Sequence, residues 1–313
     1  MLDDVSLGLR MSGGGEGYKA LGQFAISMLK KYNGLTQENA ELFSDILRSL
    51  SQLGGNQAAS EFRKIELSAH SFENNTSDIH NLCSQYEIES GVYTAEDILS
   101  RLGNPKKQMP TIRALAGTAL NGFTIDEAIL ERLRQLPISA LESGLESLIH
   151  MESARLELGH DISFAETIKQ ICLLKLKTGP IIETDPFYSY HLYSALEAFE
   201  KTEYRNVSQL IDIILNKCTH LEMPMRGALN IYGKLNKGSH NISSLNRIKK
   251  FIRTKSDYHE NVYLAMARIW PPSLRPYLDI EHAQTAIERI AAEDEWLLFE
   301  DFWSNEYGDV IRS

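Results

Sequence analysis

The chain has 313 residues, 43% of them hydrophobic and 24% charged, with 42 acidic against 32 basic side chains and a formal net charge of −10. That balance excludes wholesale disorder, collagen-like repeats and a disulfide scaffold, and the chain is long enough to bury a large core without metal or disulfide support. The three cysteines, Cys83, Cys172 and Cys218, are odd in number and far apart, which reads as reduced thiols in a cytoplasmic protein.

No apolar run approaches the about 20 residues of a bilayer span. The start Met1-Leu2-Asp3-Asp4 is acidic and lacks the basic and apolar regions of a secretory signal. A cytoplasmic location with no membrane contact is expected. Residues 1–15 read as a flexible glycine-rich leader, because Gly13, Gly14, Gly15 and Gly17 lack both a preceding strand and the Lys-Ser/Thr that completes a phosphate loop.

From Tyr18 onward the chain reads as helix after helix. Thr36 opens a segment whose Leu42, Phe43, Ile46, Leu47, Leu50 and Leu53 form one apolar stripe, closed by Gly54-Gly55. Thr124-x-x-Glu127, Ser139-x-x-Glu142 and Ser163-x-x-Glu166 match the capping box, and Asp185-Pro186 is a further start. Gly34, Gly103, Gly122, Gly159, Gly179-Pro180 and Gly238 read as stops. Ile181-Ile182 is too short for a strand, and no hairpin turn is present.

The expectation is an all-α protein of about fourteen helices in antiparallel pairs. Helix pairs of this spacing resemble HEAT-like or TPR-like α-solenoids, with a compact multi-helix bundle as the other arrangement. Residues 16–180 form the expected N-terminal helical region and 181–313 the C-terminal one, divided within Lys177–Asp185.

Charge is unevenly placed. Residues 223–255 hold Arg226, Lys234, Lys237, Arg247, Lys249, Lys250, Arg253 and Lys255 and no acidic residue, whereas 256–313 hold twelve acids against four bases. A helix over Ile242–Arg253 would bury Ile242, Leu245, Ile248, Phe251 and Ile252 and leave the cations in solvent. Such a face suits phosphates, with Tyr232 and Tyr258 as stacking platforms for unpaired bases, or an acidic protein surface, including the chain's own tail. In that tail Trp296, Phe299, Trp303 and Tyr307 recur at helical spacing, as a terminal helix packing its stripe or docking a partner.

Catalytic signatures are sparse. His80-x-x-Cys83 and Cys218-x-His220 have zinc-like spacing but lie far apart, and no metal or cofactor is expected. Glu157-x-x-His160 stands alone where a di-iron bundle needs two such motifs. His160-Asp161 resembles the paired ligands of HD-type phosphohydrolases, yet Gly159–Ser163 reads better as a turn into a helix cap. The Arg-x4–6-His spacing at Arg63/His70, Arg155/His160, Arg253/His259 and Arg275/His282 resembles that of HEPN ribonucleases. At Arg253/His259, beside the basic segment, the resemblance implies metal-independent RNA cleavage by a usually dimeric all-α enzyme. There histidine would shift protons at the ribose hydroxyl while arginine steadies the phosphate.

The function expected is a non-catalytic helical-repeat adaptor or scaffold subunit with a basic docking face at 223–255. The alternative is RNA cleavage by Arg253 and His259. The partner classes are a protein within a larger complex, single-stranded RNA or DNA, and a second copy of the chain.

Overall fold

The computed structural model of the chain describes residues 15–72, 76–253, 258–277 and 280–292. Among the described residues the regular elements are helices: sixteen α-helices, with short 3-10 segments and one π-turn at Phe187–His191. None is long and apolar enough to cross a membrane.

Two compact units divide the chain, Met1–Phe164 and Ala165–Ser313. The divide lies upstream of the glycine–proline segment Lys177–Asp185. The first unit carries α1 (Gly15–Tyr32), α2 (Ala40–Leu53), α3 (Gly55–Ala69), α4 (Thr76–Glu89), α5 (Ala95–Leu102), α6 (Pro105–Leu120), α7 (Glu127–Arg134), α8 (Ile138–Leu141) and α9 (Leu145–Leu158). The second carries α10 (Ala165–Thr178), α11 (Leu192–Lys201), α12 (Ser208–Lys217), α13 (Glu222–Leu235), α14 (Ile242–Lys249), α15 (His259–Ile269) and α16 (Glu281–Ala292).

Packing in each unit runs between near neighbours in sequence. In the first, α1 packs on α2 and α3, α3 and α2 on α4, α4 on α6, and α6 on α5 and α9. In the second, α11 and α12 pack on α13, α13 on α15, and α15 on α14 and α16. The stripe expected after Thr36 supplies the first core: Phe43, Ile46, Leu47 and Leu50 have no solvent exposure and meet Leu29, Phe62, Ile65, Ile79 and Cys83. Each such large side chain contributes about 1.5–3 kcal/mol by leaving water.

Two helix starts, those of α7 and α8, differ from the sequence reading. The complete capping box is Thr94/Asp97 at α5, where Asp97 N–H donates to Thr94 Oγ1 (3.3 Å) and Thr94 N–H to Asp97 Oδ2 (3.1 Å). At α7 the cap is Asp126, whose Oδ1 accepts from Ala128 N–H at 2.8 Å. This frees Glu127 for a long-range role described below. Ser139 lies inside the single turn of α8, which Pro137 starts without a side-chain cap. Ser163 Oγ donates to the buried Glu152 carboxylate (3.1 Å), while Glu166 accepts from Lys169 Nζ (2.8 Å) and from Tyr204. Asp185 behaves as read, accepting from Phe187 N–H at 2.9 Å.

Gly54 and Gly55 join α2 to α3 at φ +70° and +73°. Gly54 combines that φ with ψ 179°, a region open in practice to glycine alone. Gly55 N–H reaches Ser90 C=O at 3.3 Å, tying this turn to the end of α4.

Candidate binding groove

Arg226 Nη2 lies 2.5 Å from Glu222 Oε1, Lys234 Nζ 2.6 Å from Glu200 Oε1, and Arg247 Nη1 2.7 Å from Asp212 Oδ1. Three cations of the basic segment therefore meet carboxylates contributed by α11, α12 and the first turn of α13. Lys234 is also the outer end of a buried relay. Glu200 accepts from Asn230 Nδ2, and Asn230 Oδ1 accepts from Arg268, whose side chain has no solvent exposure. Lys250 is exposed, with its Nζ 4.8 Å from the Phe251 ring centre, and Lys249 and Lys237 are half-buried. The Arg253 side chain, Lys255, Trp296, Phe299, Trp303 and Tyr307 lie outside the described residues, as does the leader before Gly15.

The stacking role read for two tyrosines is corrected. Tyr232 is 8% exposed with its hydroxyl 3.4 Å from Ser244 C=O, and Tyr258 is 1% exposed with its hydroxyl donating to Thr219 C=O at 3.0 Å. Both are core side chains, so neither ring offers a face to a base. Ile242, expected inside, is 64% exposed because it sits at the first position of α14, beyond the reach of the core that buries Leu245 and Ile248.

The catalytic candidates differ in exposure: Arg63, His70, Arg275 and His282 are exposed, His160 is buried, and Arg155 and His259 are half-buried. His259 Nε2 is buried with no hydrogen-bond partner among the described residues, and its ring centre lies 6.0 Å from that of His282. Arg63 Nε faces Glu87 Oε1 at 3.5 Å, and His70 packs against His80. His160 is a latch. Its Nε2 accepts from Ile125 N–H (3.2 Å), its Nδ1 lies 3.3 Å from Glu127 Oε1, and Arg155 donates to its backbone carbonyl (3.3 Å). All three cysteines are buried, and burial pushes the Cys172 thiol up to about 12 and the Cys218 thiol up to about 11. Among the described residues no three His, Cys, Asp or Glu side chains are grouped to hold a metal ion.

The feature missed by the sequence reading is a groove in the first unit, of about 1170 Å³, formed by the start of α1, the α2–α3 turn, the end of α4, the α4–α5 loop, α6 and the loop before α7. Apolar walls come from Leu53, Ile88, Ile98, Leu115 and Ile129, with Phe123, 66% exposed, on the rim. Among the described residues its charged lining groups are Glu89 and Asp126, with no lysine, arginine, histidine or cysteine.

The walls are pinned from behind. Tyr18 donates its hydroxyl to Leu53 C=O at 3.0 Å. Tyr93 donates to Glu87 Oε2 at 2.7 Å, and the Arg101 guanidinium stacks 4.0 Å from its ring centre. Burial, then Glu87, pushes the Tyr93 phenol up to about 12, so it stays a donor. The His160 latch holds Ile125 and, through Glu127, the 123–127 loop.

Glu89, the last residue of α4, lies against the bare backbone of α6, where a β-carbon on Gly117 would overlap its carboxylate. Oε1 accepts from Gln85 Nε2 at 3.0 Å, and Oε2 accepts nothing among the described residues. Burial pushes this carboxyl up to about 7, against smaller opposing effects of the Gln85 hydrogen bond and the Arg48 charge.

No protein-family model matches the chain, and neither a curated protein nor a solved structure matches it.

Proposed function

We propose that the protein is a non-catalytic helical-repeat adaptor that receives a segment of a partner protein in the groove of its first unit. The groove carries the reading. It is larger than the about 300–1,000 Å³ of small-molecule pockets, it is open, it mixes apolar walls with hydroxyl and amide groups, and it holds no nucleophile–base pair. The packing of each helix on its near neighbours supports a HEAT-like or TPR-like construction within each unit, an architecture whose usual work is binding. The basic segment is proposed as a second docking face, for an acidic protein surface. Its Arg226, Lys234 and Arg247 already sit among carboxylates, and its tyrosines face inward, so phosphate binding would have to displace ion pairs without gaining base stacking.

The test is a selection of random dodecapeptides on the immobilised full-length protein, with Phe123→Asp as counter-screen. Peptides bound by the wild type and lost in the variant are expected. The reading fails if no such peptide emerges. It fails equally if the protein cleaves single-stranded RNA and the His259→Ala variant does not.

A further inference from the structure

We infer that the groove recognises a polypeptide segment by one cationic side chain, a lysine or arginine, which ion-pairs with Glu89 while apolar neighbours in the segment pack on the rim at Phe123. This inference rests on the peptide-groove reading and adds the chemistry of the occupant.

Charge complementarity carries it. Among the described residues, two carboxylates, Glu89 and Asp126, are the charged groups of the lining, and no lysine or arginine lines it. A groove of this sign repels an acidic segment and draws a basic one. Glu89 is also placed as a receptor. It is half-buried, one oxygen is oriented by Gln85, and the other accepts no hydrogen bond from the described residues. A cation paired with that second oxygen would offset the desolvation of the carboxylate. Arg48, whose charge acts weakly on Glu89, is exposed and lies 3.3 Å from Asp45.

The site is built for the carboxylate to stand where it does. Gly117 provides a gap in the α6 surface that the Glu89 carboxylate fills, which fixes the side chain at the groove floor. Tyr93, itself held by Glu87 and Arg101, and Ser90 stand beside it in the lining with hydroxyl groups. A free amine would meet only this floor. A polypeptide would also cover Phe123 and the wall of Ile98 and Ile129, so a segment fits the groove better than an amine alone.

The experiment uses dodecapeptides selected on the full-length protein, fluorescein-labelled and titrated by anisotropy against wild type, Glu89→Gln and Phe123→Asp. The expected result is that Phe123-dependent peptides share a lysine or arginine. Replacing it with glutamine should weaken binding to the wild type by at least about tenfold and leave binding to Glu89→Gln nearly unchanged, because the partner charge is already gone. Peptides that need Phe123 but show no such requirement, or that bind Glu89→Gln as tightly as wild type, overturn the cation pairing and leave the peptide groove standing. A library with no Phe123-dependent peptide removes both. Mass that rises with protein concentration in light scattering, and falls with Phe123→Asp, would make a second copy the occupant and overturn the inference as well.

Discussion

Replacing Glu89 with glutamine should stabilise the protein, and only above the pH at which the carboxyl ionises. The group's ordinary value is 4.5, and burial in the groove floor raises it to about 7. Below 4.5 the carboxyl is protonated in folded and unfolded chains alike, and it contributes nothing to pH dependence. Between 4.5 and 7 the unfolded chain ionises while the folded one holds its proton, so stability falls as pH rises. Above 7 both are ionised, and the penalty is full and constant. The upper limit is about 3 kcal/mol, at about 1.36 kcal/mol per pKa unit, and access of groove water to Oε2 trims it to about 1–3 kcal/mol. Glutamine keeps the shape and can still accept from Gln85, but it has no charge to desolvate. Urea unfolding followed by far-UV circular dichroism, for both proteins near about pH 4.5 and about pH 8, measures the effect. An equal stability increment at both pH values, or a loss at the higher one, would refute the reasoning.

Three further outcomes are expected. Gly117→Ala should destabilise the wild type, because its β-carbon overlaps the Glu89 carboxylate. In a Glu89→Ala background the same change should instead gain up to about 1 kcal/mol of helix propensity, and thermal denaturation of the four proteins checks the reversal of sign. His160→Ala removes the acceptor of Ile125 N–H and the partner of Glu127, at a cost of about 1–3 kcal/mol. Hydrogen exchange should rise across residues 123–127 before it rises in the α2 core. Asn230→Ala breaks the relay between the buried Arg268 and Glu200 and should cost about 1–3 kcal/mol in urea unfolding of the second unit, read by tryptophan fluorescence.

The helical class was legible because it follows from local spacing. The stripe of Phe43, Ile46, Leu47 and Leu50 is written at 3.6-residue intervals, and it is buried as written. What could not be read depends on contacts between distant residues. The capping signal at Thr124 had the right letters, but Asp126 caps α7 and Glu127 turned to His160, a partner that a four-residue pattern does not contain. The same reason governs the basic segment. It has no acid within it, yet Lys234 meets Glu200 and Arg247 meets Asp212 across helix contacts. A count of charge along the chain overstates the field at the surface whenever neighbouring helices carry the opposite sign. The groove had no local signal at all, since its lining is drawn from four separate stretches. Only the pairing of Gly117 with Glu89, a glycine inside a helix facing a carboxyl at the end of another, could have hinted at it, and that needs the contact to be known.

Stability and binding meet in that one carboxyl. The desolvation that makes ionised Glu89 unfavourable in the free protein is what a cationic side chain would relieve, so the same free energy is counted once as lost stability and once as gained affinity. A selected lysine-containing peptide should therefore raise the unfolding midpoint of the wild type more at about pH 8 than at about pH 5, because at the lower pH it must first displace the proton. Arg48, which acts weakly on Glu89, and Asp126, which shares the lining, are present in both states and do not change the sign. In Glu89→Gln the free protein should start more stable and gain less from the peptide, with little dependence on pH. A variant that gained stability and also kept the full peptide shift would separate the two effects, and would show that the raised carboxyl is a packing compromise rather than the receptor of the groove.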